Sequence, residues 1–174
     1  MKSRPEFPAG PFAPEHPLDG KRRAELIAEI QCAPKILRTT VSGLSSEQLD
    51  THYKNWTIRQ IVHHVADSHV NSYIRFKWAL TEDRPTIKAY DEGQWAALVD
   101  SRTGDVSAPL ALLEGLHARW VQLLNTMSDQ QFLRSFVHPQ SGDVLTLDAA
   151  ICYYAWHAKH HTGQIAWLRK QYGW

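Results

Sequence analysis

Sulfur is scarce in this chain: two cysteines and two methionines in 174 residues. Cys32 and Cys152 are too few for a disulfide framework, so both are expected as reduced thiols. Long apolar runs are lacking as well. No stretch approaches the roughly 20 residues of a membrane span, and the N-terminus is polar and proline-rich where a signal peptide would carry an apolar block. Nor is there an excess of either charge. The 19 basic and 18 acidic residues are well mixed, which leaves no electrostatic footprint for nucleic acid or an anionic membrane. Both are set aside as partners, and the default location is cytoplasmic. The length suits one domain, residues 1–174, able to bury a sizeable core without disulfides.

What the chain does have is helical patterning and ten histidines. Five of the nine prolines fall within Met1–Pro17, a composition that forbids helix and favours an extended arm packed across the domain or a partner subunit. Leu26, Ile27 and Ile30 on charged surroundings predict a helix from Asp19 to about Cys32. Pro34 marks either a kink or the first turn of a continuation to Val41. Ser45–Leu49 reads as one capped turn. Thr57-Ile58-Arg59-Gln60 fits a capping box, with Trp56 and Ile61 as the hydrophobic staple, and opens a helix to about Thr81. Its apolar stripe holds Ile58, Ile61, Val62, Val65 and Phe76. The opposite face carries Gln60, His64, Asp67 and Asn71 together with Ile74 and Trp78, so it is expected to be covered, at a cleft or a subunit contact.

Pro85 stops that helix, and Asp91–Gln94 offers a capping box into a short helix through Leu98, followed by a loop with Gly104. Leu110, Leu113, Leu116, Trp120, Leu123 and Leu124 recur at helical spacing from Pro109 to about Thr126. After a capped turn at Ser128–Gln131, Phe136–His138 and Val144–Thr146 flank a Pro/Gly-rich turn and predict a small hairpin. The last helix, Thr146 to Gln171, places Asp148, Lys159, Thr162, Arg169 and Lys170 on one solvated side. His157 points away from that side. The sum is an all-α four-helix bundle with a site between helices.

His157 and His161 lie one turn and about 40° apart, near enough to share a metal ion. Ala158 stands where a His-Glu-x-x-His metalloprotease carries its glutamate, so thermolysin-like chemistry is excluded. His160 can be a ligand, an outer contact or a surface residue. A third ligand must come from His63, His64 or His69 on the second long helix, and helical phase does not separate the first two. For His69, a core imidazole satisfied by a carbonyl or hydroxyl is the ordinary expectation.

The segment Trp56–His69, then Asn71–Lys77, and Trp156-His157 followed by His161 resemble the YfiT group of the DinB-like superfamily. Gln48–Thr51, Tyr90-Asp91-Glu92 and His138-Pro139 extend the likeness over nearly the whole chain, with a departure at Lys54-Asn55, where the family has a longer, glycine-containing link. The resemblance implies a four-helix bundle, a cytoplasmic homodimer, and one divalent metal ion per subunit, Zn²⁺ or Ni²⁺. Its ligands would be His64, His157 and His161. It further implies a metal-dependent hydrolase acting on a small-molecule substrate, the ion activating water. The alternatives are a metal-dependent S-transferase using a low-molecular-weight thiol of the bacillithiol or mycothiol kind, and a non-catalytic metal- or partner-binding bundle. Asp67 and Gln164, each three residues after a ligand, are candidate catalytic residues, as orienters of the ligands or proton acceptors. Arg75 and Asn71 are candidates for holding an anionic substrate, with surface or dimer contacts as the plainer role. Neutral ligands imply release of the ion as pH falls below roughly 6.

Overall fold

The computed structural model describes residues 3–15 and 17–174. Four long helices dominate. The first, α1 (Gly20–Val41), is capped by the Asp19 carboxylate, which accepts from the Arg22 N–H. A single turn, α2 (Ser46–Leu49), closes with a reciprocal Ser45/Gln48 capping box. A two-residue hairpin follows, β1 (His52–Tyr53) against β2 (Trp56–Thr57), its turn made by Lys54 at φ 56°. This hairpin, at the departure from the family link, was not anticipated, because two-residue strands carry no alternation to read. Thr57 and Gln60 then form the capping box of α3 (Ile58–Thr81). Two short helices cross its outer side, α4 (Glu92–Ala96) and α5 (Val99–Thr103), the second occupying what the sequence suggested as loop. The third long helix is α6 (Ser107–Asn125), and the turn α7 (Asp129–Phe132) has a Ser128/Gln131 box. Antiparallel β3 (Ser135–Val137) and β4 (Val144–Thr146) lead into α8 (Leu147–Tyr172), which Gly173 ends in the left-handed conformation at φ 73°.

Around the bundle, α1 packs on α8 and α6, and α3 packs on the same two. The first and second long helices are therefore diagonal partners, and so are the third and fourth. Pro34 lies inside a single α1 and does not divide it. The covered face of α3 is roofed by its own chain: the Gln60 side-chain amide donates to the Ala96 carbonyl on α4 at 2.8 Å. Ile74, at 38% exposure, stays open.

Two apolar clusters fill the interior, one around Ile30, Phe76, Trp120 and Ile151, the other around Leu37, Ile61, Leu113 and Leu168. Each long helix changes cluster at a particular interval. Pro34 falls in that interval on α1, His69 on α3, His117 on α6 and His157 on α8. A layer of buried imidazoles thus divides the apolar core.

Two features fasten α8. On one side the proline-rich arm crosses it: the Trp156 indole N–H donates to the Gly10 carbonyl at 2.9 Å, and Phe12 meets Tyr153 edge-on with centroids 5.3 Å apart. Gly163 permits the approach, since a Cβ there would stand 2.8 Å from Pro8. On the other side Asp148 corrects its expected place on the solvated face. It is 1% exposed and holds Arg23 of α1 by two bonds, Nε to Oδ1 at 2.8 Å and Nη2 to Oδ2 at 3.0 Å. Helical phase measures angle only, and α1 covers that angle at the start of α8. Asp148→Ala is expected to lower unfolding stability by about 3 kcal/mol, because Arg23 would keep only the exposed Asp129 as counter-charge. Urea denaturation of the two proteins measures it, and a loss under about 1 kcal/mol would show the pair to be dispensable.

Candidate metal centre

The capping box at Thr57 sets the phase of α3, and nearly two turns later His64 points between α3 and α8. His157 and His161, one turn apart on α8, face it. All three are buried, at 3%, 4% and 7% exposure, and their ligand-capable nitrogens lie within 4.8 Å of one another. The Nε2 atoms of His64 and His157 stand 3.2 Å apart. Trp56 closes one end of the group, its ring 4.4 Å from that of His64 and 6.3 Å from that of His161.

The outer nitrogens of two of these rings are engaged. His161 Nδ1 lies 2.9 Å from Gln164 Oε1, and the Gln164 amide in turn reaches His160 Nε2 at 2.9 Å. His160 stacks on Trp156, lies beside Phe7 of the arm and meets His161 edge-on at 5.1 Å, but is not one of the three residues whose nitrogens converge. His157 Nδ1 lies 3.3 Å from His69 Nε2, and His69 Nδ1 lies 2.9 Å from His117 Nε2. His69 is thus a core imidazole as expected, but its partners are imidazoles and not the carbonyl or hydroxyl anticipated. Such a partner, on a helix 48 positions along the chain, is invisible to local pattern. His63 turns toward Gly104, beyond the end of α5. Asp67 is the candidate the fold does not bring in: no hydrogen bond joins its carboxylate to the three rings among the described residues. Desolvation and the Asp100 carboxylate push its pKa up to about 6. Asn71 bonds back to the Asp67 carbonyl of its own helix.

Burial keeps the group neutral. Desolvation holds His64 down at about 4, and desolvation followed by the neighbouring rings holds His157 and His161 well below the usual imidazole range. Three uncharged imidazoles whose ligand-capable nitrogens converge are a donor set for a divalent ion. One carboxylate stands beside them. Glu92 Oε2 is 3.9 Å from His64 Nε2, and desolvation together with Asp91 raises the Glu92 pKa. Phase along the long helices cannot find Glu92, because it is the first residue of the short α4, which packs against α3 from outside the four-helix set. The only signal for it was its place in the Tyr90-Asp91-Glu92 likeness.

Above the group opens a cavity of about 660 Å³ between α3, α8 and the β3–β4 turn. His157 lies in its wall with Tyr153, Tyr154, Tyr90 and Phe136, while Ser68 and Arg75 line it from α3. The Arg75 Nη1 donates to the Tyr154 hydroxyl at 3.2 Å, and its Nε is buried without an acceptor among the described residues.

Comparison with known proteins places this geometry. The DinB superfamily pattern matches residues 8–165. "Putative metal-dependent hydrolase YfiT" of Bacillus subtilis is 45% identical over 170 residues, covering 97% of this chain and 96% of that protein. A relative of the same designation from Bacillus licheniformis is 41% identical over 171 residues, 97% of each chain. The solved structure of Bacillus subtilis YfiT, described as an unusual four-helix bundle topology, superposes with a TM-score of 0.94 over 97% of both chains at 45% identity. A mycothiol-dependent maleylpyruvate isomerase shares the fold, with a TM-score of 0.66 at 16% identity over 84% of this chain and 60% of its own. By sequence and by architecture, the chain belongs to the YfiT group of the DinB superfamily.

Proposed function

We propose that this protein is a metal-dependent hydrolase of small organic anions, its ion held by His64, His157 and His161. The observation that carries this proposal is the convergence of three buried, neutral imidazoles, one of which, His157, lines a 660 Å³ cavity. The naming of close relatives as metal-dependent hydrolases supports it. Three histidines with positions left for other ligands suit Zn²⁺, and Ni²⁺ is compatible. When bound, such an ion supplies Lewis acidity that polarises the substrate and activates water.

The protein's own groups divide the remaining work. Glu92 Oε2 stands where it can take the proton of an attacking water and return it to the leaving group. Gln164 Oε1 holds the His161 ring through its Nδ1, so that Nε2 faces the group. Trp56 and Tyr153 shield the imidazoles from solvent. Arg75 sits eleven residues and about 16 Å along α3 from His64, on the same helix face. Among the described residues no carboxylate lies within 4.0 Å of its guanidinium, so its free edge is available to a carboxylate or phosphate of the substrate. Glu92 at the metal end repels that group, and the two charges together orient an anion with its apolar body along the tyrosines.

Protein purified without an affinity tag should carry about one divalent ion per chain, and His157→Ala should lose it while keeping its helical circular dichroism. Full occupancy in the variant, by elemental analysis, would remove His157 from the ligand set. Hydrolysis should proceed without any added thiol; an absolute requirement for one would replace hydrolysis by thiol transfer. Arg75→Met should raise KM for a carboxylate-bearing aryl ester by about tenfold with little change in kcat, and leave the neutral methyl-capped analogue unaffected. Equal effects on both substrates would deny Arg75 this role. The depressed imidazole pKa values also revise the expected acid release. Protons compete for a ring only near its own pKa, so the ion should be retained at about pH 5.5 and released as pH falls toward the value of about 4 at His64. A chromogenic chelator reads the release, and a midpoint near 6.5 would place the ligands in water.

A further inference from the structure

Pro34 has no N–H, so the Ile30 carbonyl one turn before it loses its helical donor. His117 supplies the replacement, its Nδ1 standing 2.6 Å from the Ile30 oxygen. A carbonyl oxygen only accepts, so Nδ1 of this neutral ring must carry the proton, and its Nε2 must be a lone pair. That lone pair faces His69 Nδ1 at 2.9 Å, which must therefore be the donor. His69 Nε2 is then an acceptor, and it faces His157 Nδ1 at 3.3 Å. The proton of His157 is consequently on Nδ1, and its Nε2 lone pair points at His64.

The reverse assignment fails at one end. With protons on every Nε2, His117 Nδ1 and the Ile30 oxygen would be two acceptors 2.6 Å apart. The path uses one group from each long helix: Ile30 of α1, His117 of α6, His69 of α3 and His157 of α8. His69 and His117 are 0% and 2% exposed, so water has little access to compete for these bonds. Both rings are buried and no carboxylate pairs with either among the described residues, so each is neutral and single-protonated as the path requires.

We infer that His69 and His117 are positioning residues. Anchored on the carbonyl that Pro34 frees, they fix the tautomer and ring orientation of His157, and so present its Nε2 to the ion. This role rests on the proposed three-histidine site, yet part of it can be measured without any ion.

The experiment uses the full chain labelled with ¹⁵N-histidine, first stripped of metal with a chelator and then titrated with Zn²⁺. In the stripped protein at neutral pH, long-range ¹H–¹⁵N correlation should show His117, His69 and His157 all protonated on Nδ1. His117→Phe and His69→Leu should each give His157 a detectable Nε2–H population and weaken Zn²⁺ binding by about tenfold or more. His69→Gln, whose carbonyl can still accept from His157 Nδ1, should recover most of the affinity and the Nδ1–H signature. A purely packing role for His69 predicts the opposite order, with leucine the better tolerated. Nε2–H at His157 in the parent chain would overturn the inference, as would unchanged tautomer and affinity in both variants. If the parent chain binds no Zn²⁺ while the three Nδ1–H signatures stand, the metal site is lost and the tautomer assignment survives on its own.

Discussion

Neutral imidazoles packed side by side in a water-poor interior impose the constraint on which the rest of this bundle depends. An imidazole carries one donor and one acceptor, and burial without partners for both is costly. Only in the layer between the two apolar clusters can the fold satisfy several of them at once, because there each ring can use another as its complement. The clusters on either side keep water out, and dryness is what depresses the imidazole pKa values. Packing, protonation and the capacity to bind a cation are thus one arrangement seen from three sides.

Much of this was legible in the sequence, for reasons that differ by residue. Capping boxes at Thr57 and Ser128 are local, since side chain and amide lie three residues apart, and both ends fell where their residues placed them. The three converging histidines were named through family likeness, with helical phase contributing only the pairing of His157 with His161. Asp148 was misplaced because a helical wheel gives direction but not neighbours, and Arg23 lies 125 positions away. His117 went unnoticed for the same reason: a lone histidine on a leucine-rich helix gives no sign that a proline-freed carbonyl awaits it on α1. Glu92 and α5 belong to five-residue helices, too short for a period to be read from the sequence.

Charge in the cavity is arranged by element. Carboxylates come from the α4 entrance and the β3–β4 turn, at Asp91, Glu92 and Asp143, while the cation comes from α3 at Arg75. The aromatic walls between them come from α8, from Phe136 of β3 and from the segment before α4. Helices therefore supply the rigid, chemically defined parts of the site, and connecting segments supply its rim, a division found wherever function sits on a stable scaffold.

That division bears on how such a protein diversifies. The β3–β4 hairpin has three paired positions, and its turn, from His138 to Asp143, contributes four residues to the cavity lining, with no hydrogen bond to the three imidazoles among the described residues. Insertions or exchanges in that turn can reshape the entrance while the bundle, its caps and its dry layer stay as they are. Descendants of one ancestral scaffold can in this way acquire new clientele through a six-residue stretch and leave the chemistry beneath it unaltered.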